Sequence, residues 1–225
     1  ADYCIAQGQI GEYLSTAREL QKAYAGRMDV FVGIELDLYG ECPQGLDYII
    51  GSVHGLFRNG VFYPVDESAE SARRAVNEAF SGDWYQYTNA YFDLVAQLPQ
   101  KTGCNWIGHF DLVSKFNQQD PAFEEESPRY WRRALEVLET LSQQGMCLEV
   151  NTGAILRKYR TVPYPTERFL RRWKEFGGEI ILNSDAHHIS HLCGSFSEAK
   201  KLVKEIGFTH INIWGKNGFQ AIGLE

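Results

Sequence analysis

No stretch of this 225-residue chain approaches the ~20 consecutive apolar residues that a bilayer crossing needs, so no membrane-spanning segment is expected. Long basic runs are missing too, and the formal net charge is -7. Nucleic acid and anionic membranes are therefore not expected partners. An anionic small molecule stays open, because a bound cation can reverse the local field. There is no C-x-x-C pair: Cys4, Cys42, Cys104, Cys147 and Cys193 are odd in number and far apart, the pattern of a reducing compartment rather than of a disulfide framework. The opening Ala1-Asp2-Tyr3-Cys4-Ile5 has neither the charged nor the apolar region of a signal peptide, so the cytoplasm is the expected location. Position 1 is not Met, and the numbering is expected to begin downstream of the start of the gene. Glycine-rich phosphate loops, G-x-S-x-G and C-x5-R are all absent, which leaves nucleotide-cofactor and covalent-nucleophile chemistry without support.

What is present is a soluble-protein composition, 44% hydrophobic and 23% charged, over a length that suits a single domain across 1-225. Short apolar runs alternate with amphipathic stretches, which predicts parallel strands joined by crossover helices. Strands are expected at 29-36, 47-53, 105-109, 146-150, 179-184 and 209-214. Tyr13, Ala17, Leu20 and Tyr24 share one helical face. Ser127 and Pro128 open a helix with Trp131, Leu135 and Leu138 inward, closed by Gly145. Thr166 opens another, stopped at Gly177-Gly178, and Ser195 with Glu198 reads as a capping box for a third. The long insertion after the second strand is expected to be helical from about Glu67 to Leu98.

Four of the predicted strands end on metal-ligand residues. Glu35 lies on the first, His54 ends the second, His109 the third with Asp111 two residues on, and Asp185 and His187 follow Ile180-Ile181-Leu182. Each alone has a structural explanation, such as a solvated acid or a hydrogen-bonded imidazole. Their convergence on the C-terminal face of one sheet, with a donor set suited to a borderline metal, points to a metal site. Asp185 and His187 are expected to bind neighbouring metals rather than chelate one. His188 and His191 are left as outer or exposed residues, and His210 as structural, without acidic neighbours in sequence. Glu149 and Asn151 have two open readings: contact with substrate or ligands, or a polar layer inside a barrel. The basic Arg157-Lys158-Tyr159-Arg160, with Lys115, suits a phosphate, although solvated basic loops are common.

At Gly33-Ile34-Glu35-Leu36-Asp37, Leu46 through His54, Gly108-His109-Phe110-Asp111-Leu112, Leu148-Glu149-Val150-Asn151-Thr152 and Ser184-Asp185-Ala186-His187, the sequence resembles the polymerase and histidinol phosphatase (PHP) superfamily. Within it, the resemblance is to the histidinol-phosphate phosphatases. It implies an α/β fold, a distorted (β/α)7 TIM-like barrel holding up to three divalent transition metals, Zn, Mn or Fe. By motif, Glu35 would bridge two metals, His54 and His109 would complete the second, Asp185 would serve the first and His187 the third, with Glu35 and Asp185 as catalytic residues. Lys115 and Arg157 would face the substrate phosphate, and Asn151, from its place at the strand end, is expected to bind substrate with them. The implied reaction is attack of metal-activated hydroxide on a small-molecule phosphomonoester, L-histidinol phosphate, in histidine biosynthesis. The alternatives are a nucleotide or phosphotyrosine phosphoesterase of the same superfamily, and a non-catalytic metal-binding remnant. The family's opening His-x-His strand and a second His-bearing strand do not precede Ala1. The chain is thus expected to lack the first two strands, to associate through the unclosed sheet, and to show little activity until an upstream segment is restored.

Overall fold

Apolar runs too short for helices become strands, and the stretches between them, patterned with a helical period, pack outside. In the computed structural model, which describes residues 5-224, the order begins with α1 (Ile10–Ala23), β1 (Gly33–Asp37), β2 (Tyr48–Ser52), β3 (Gly55–Arg58) and β4 (Val61–Pro64). Then come α2 (Ala69–Ala79), α3 (Trp84–Val95), α4 (Leu98–Thr102), β5 (Trp106–Ile107), α5 (Pro128–Gln143) and β6 (Cys147–Asn151). The chain continues through α6 (Gly153–Leu156), α7 (Glu167–Glu175), β7 (Glu179–Asn183), α8 (Phe196–Ile206), β8 (His210–Gly215) and β9 (Gly218–Gly223). Of the opening segment read above for a leader, Ala1 to Cys4 lie outside the described residues. No described helix is long and apolar enough to cross a membrane.

One sheet runs β1-β2-β5-β6-β7-β8-β9, with β3 and β4 as a separate hairpin. Pairing is parallel from β1 to β8, and β9 returns antiparallel to β8. The crossovers after β5, β6 and β7 pass through α5, α7 and α8, so the C-terminal ends of β1, β2, β5, β6 and β7 face the same way.

The helix α5 shows how local sequence makes the packing. Ser127 Oγ accepts from Arg129 N, Pro128 occupies the first turn, and Tyr130, Ala134, Val137, Leu138 and Leu141 form the buried stripe. That stripe meets Phe92 of α3 and Phe169 of α7, with Phe92–Tyr130 centroids at 5.5 Å and Tyr130–Phe169 at 6.0 Å. Removing a fully buried side chain such as Leu138 would cost about 2–5 kcal/mol. On the other face of the sheet, Tyr48 stacks on Trp106 at 4.9 Å, and Trp214 lies 5.7 Å from Trp106. These aromatic rings line the inner cavity beneath the strand ends.

The helical stretch expected from about Glu67 to Leu98 is α2 and α3; before it, in a segment to which the sequence reading assigned no element, lies the β3–β4 hairpin, turned by Asn59 (φ 51°) and Gly60 (φ 80°). Two consecutive positive φ angles are what a type I′ turn demands. A second hairpin joins β8 to β9, with Gly215 paired to Gly218. Ser195 makes no capping hydrogen bond; it sits at φ 57°, which turns its side chain away from the first-turn amides of α8. His210 does have an acidic partner, since its Nε2 lies 2.7 Å from Glu179 Oε2 across the β7–β8 pair.

Candidate metal centre

Parallel pairing of β1 with β2 and of β2 with β5 brings three strand ends side by side. Glu35 lies within β1, while His54 and His109 each stand two residues beyond the last residue of β2 and β5. Their side chains meet at one atom: Glu35 Oε1 is 2.8 Å from His109 Nε2, 3.1 Å from His54 Nε2, and accepts a 2.7 Å hydrogen bond from Ser52 Oγ. The two imidazoles are 5.1 Å apart between centroids, nearly edge to face. All three ligand atoms lie within 4.8 Å of one another, and no other such cluster of His, Cys, Asp or Glu occurs among the described residues.

The surroundings aim the rings. Asp37 Oδ2 accepts the backbone N–H of His54 at 2.9 Å and lies 3.3 Å from its Nδ1, which leaves Nε2 facing Glu35. This carboxylate–imidazole pairing is the usual support behind a metal-bound histidine. Burial would raise the Glu35 carboxyl, but hydrogen bonds and charge attraction from His109 and His54 outweigh it and hold the group well below the usual range. Conversely, burial lowers the two imidazoles, and the bonds from Asp37 and Glu35 to His54, and from Glu35 to His109, reverse this and raise both. Two nitrogens and a carboxylate oxygen competing for each other's protons are a donor set that a divalent cation fits, because it can replace those protons.

Close approach of the strands is needed for this. A Cβ on Gly108 would stand 2.5 Å from Ser52 Oγ and 3.1 Å from Ile50, so a side chain there would push β5 off β2 and His109 off Glu35. Asp111 does not join the cluster. It is fully buried, accepts from Thr166 N at 3.1 Å, and burial pushes its carboxyl up to about 6 against the pull of Arg160.

A second group stands at the ends of β6 and β7. Arg157 Nη2 contacts Asp185 Oδ2 at 2.7 Å, and its Nη1 donates to the Asp185 backbone oxygen at 2.9 Å. Asp185 has φ 47°, which breaks the alternation of an extended strand, so His187 folds back and its Nε2 comes within 3.0 Å of Asp185 Oδ1. Asp185 and His187 thus touch, a contact that residue order alone did not indicate. Lys115 Nζ donates to the Asp66 backbone oxygen at 2.7 Å and lies 4.6 Å from the Tyr159 ring centroid. Burial lowers the Lys115 ammonium, against the nearby Asp66. His188 and His191 are exposed or partly so, with His188 bonded to Ser190.

Between the two groups lies a cavity of about 470 Å³ whose polar wall includes Glu35, Glu149, Asn151, Asn183 and Asp185. Both polar atoms of Asn151 are engaged, Nδ2 with Glu149 and Oδ1 with Gly153 N. Glu149 and Asn151 thus form one buried hydrogen-bonded group at the end of β6.

The model of the PHP domain family matches residues 8–153, well over half of the chain. The chain belongs to the PHP-domain family. This PHP chain is 31% identical over 208 residues to a Deinococcus radiodurans protein named "Probable histidinol-phosphatase", covering 88% of this chain and 73% of that one. The crystal structure of HisK from Listeria monocytogenes superposes with a TM-score of 0.72 at 21% identity, over 86% of this chain and 77% of that one. Histidinol phosphate phosphatase of Lactococcus lactis subsp. lactis, complexed with zinc, L-histidinol and phosphate, gives 0.61 at 20% identity, over 94% and 79%. The likeness gives this PHP chain its architecture, the α/β fold of a distorted TIM-like barrel.

Sequence reasoning overlooked Asp37 and Ser52. The signal for Asp37 was the spacing Glu35-x-Asp37, which puts two acids on the same face of a strand end. Ser52 carried no local signal, because its role comes from the register between β1 and β2.

Proposed function

We propose that this PHP chain is a metal-dependent phosphomonoester hydrolase whose substrate is L-histidinol phosphate, released as L-histidinol and inorganic phosphate. The observation that carries the reading is the convergence of Glu35, His54 and His109 on one point beside a cavity that also reaches Asp185. Those three residues would hold a divalent ion, zinc, manganese or iron, with Asp185 and His187 as ligands for further ions in a cluster of up to three. Metal bound there supplies a water of lowered pKa and offsets the charge on phosphorus.

The chain's own residues do the rest. Glu35 and Asp185 bring carboxyl oxygens to the cavity wall, and Asp37 keeps the His54 ring from turning. Arg157 offers a planar fork that suits two phosphate oxygens, and it reaches them by exchanging its contact with Asp185. Lys115 adds a compact positive charge from the neighbouring loop. The apolar wall of Tyr48, Trp106 and Trp214 keeps bulk water from the floor of the cavity. The same reading has the chain act as a single domain in the cytoplasm, in histidine biosynthesis, on a small molecule without nucleic acid or membrane.

The test is a panel of phosphomonoesters offered to the full gene product with Zn2+ or Mn2+. L-histidinol phosphate should give the highest kcat/KM. A preference for a nucleotide or for phosphotyrosine would reassign the substrate while keeping the metal chemistry, and no turnover of any ester by metal-loaded protein would remove the hydrolase reading.

A further inference from the structure

Glu149 is 3% exposed in the middle of β6, and among the described residues no Lys or Arg pairs with it. An acid so placed is costly unless donors surround it. Its partners are unusual in where they come from. Oε2 accepts from the backbone N–H of His109 at 2.9 Å and from Asn151 Nδ2 at 3.0 Å, and Oε1 accepts from Asn183 Nδ2 at 2.8 Å. The His109 amide can only donate. Asn151 is oriented by Gly153 N, which bonds its Oδ1 and so turns Nδ2 toward Glu149. Both oxygens of Glu149 therefore serve as acceptors at once.

The three donors belong to the ends of β5, β6 and β7. One is the main chain of His109 itself, and Asn183 stands two residues before Asp185. We propose that Glu149 is a positioning residue of the metal centre: without coordinating the ion, its carboxylate sets the place of His109 and, through Asn183, the strand end that carries Asp185. The inference rests on the metal reading above. A carboxylate is suited to this task because it accepts at both ends, whereas the isosteric amide accepts at one and presents a donor to the other.

The simpler view, that Glu149 only fills a polar layer, predicts a loss of stability with metal binding untouched. Zinc titration of metal-free chain by calorimetry separates the two. Glu149→Gln should bind Zn2+ roughly 10–100-fold more weakly than wild type, the range for groups that support metal ligands. The visible absorption of the Co2+-loaded variant should shift, reporting altered ligand geometry, while circular dichroism of the metal-free chain stays that of wild type. A folded Glu149→Gln with wild-type zinc affinity and an unchanged Co2+ spectrum overturns the proposal. If that variant does not fold, Asn183→Ala decides, since it removes only the Oε1 donor: a several-fold weaker zinc site is expected, and unchanged affinity overturns the proposal. Failure of the metal reading looks different, because wild type would then bind no zinc, or His54→Ala would bind it as well as wild type.

Discussion

On the β1–β2–β5 side, Glu35, His54 and His109 share one carboxylate oxygen, and the His109 side chain is 5% exposed. On the β7 side, Asp185 is held by an arginine from the loop after β6, and the His187 side chain is 58% exposed. Both groups contain an acid and an imidazole in contact, yet they are built differently. The first hangs on paired strands whose register sets the distances, with Gly108 allowing the close approach. The second is made of residues beyond the strand end, and the glycine beneath it meets only side-chain ends: a Cβ on Gly153 would stand 2.7 Å from Arg157 Nη2 and 2.9 Å from Asp185 Oδ2. A ligand group framed by backbone pairing is ready before the metal arrives, whereas one closed by a guanidinium contact must open first.

The largest effect should come from breaking the framed group. His54→Ala should weaken zinc binding by at least about 100-fold, beyond the loss expected for a supporting residue, while His210→Ala, whose partner is Glu179, should match wild type in metal content after dialysis. Equal content in wild type and His54→Ala would end the distinction.

Acidity gives the next largest change. The raised values of His54 and His109 mean that their pairing with Glu35 stabilises the metal-free fold fully below the unfolded value near ~6.5, and that this contribution is lost as pH rises through the raised folded values. Zinc requires the deprotonated rings, so its affinity should climb about ten-fold per pH unit for each proton displaced. The zinc-induced rise in Tm should therefore grow from pH 6 to pH 8. A rise independent of pH would show that the imidazoles are not ligands.

Opening the second group should matter less for metal and more for anions. Arg157→Ala should weaken binding of inorganic phosphate to the zinc-loaded chain by about ten-fold, as loss of a charge-assisted fork predicts, with Lys115→Ala losing less. Phosphate affinity unchanged by Arg157→Ala would reduce the arginine to a partner of Asp185. The smallest effect is expected from His187→Ala, which should alter the affinity of the Glu35 group by less than about two-fold, the additivity limit for separated sites. An effect matching that of His54→Ala would merge the two groups into one.

Much of this was readable from residue order. The clustered Glu35, His54 and His109 were visible because each interrupts an apolar run, and α5 was visible because Ser127, Pro128 and the apolar stripe agree with one another. Asn59-Gly60 announces the first hairpin, but it stands outside the helical periodicity that dominates the long connection after β2, and the second hairpin turns at Lys216-Asn217, which carry no Asn-Gly signal at its centre. The capping box at Ser195 failed because the pattern of residue types does not set the φ of the cap. The contact of His187 with Asp185 was hidden for the same reason, as it depends on one residue taking a left-handed conformation. Register-dependent partners such as Ser52 leave no trace in a single strand.

Asp37 takes hold of His54 at two points, main chain and ring. For an ion resting on that imidazole, this bears on the rate of escape. An untethered ring that lets go can rotate out, and a chelator in solution then strips the ion stepwise. A ring clasped at both points swings only a short way and recaptures the ion before a competitor arrives. Exchange of metal at the Glu35 group should for this reason be slow relative to its equilibrium affinity, and removal by a chelator should follow the opening of the β1–β2 edge rather than the chelator concentration.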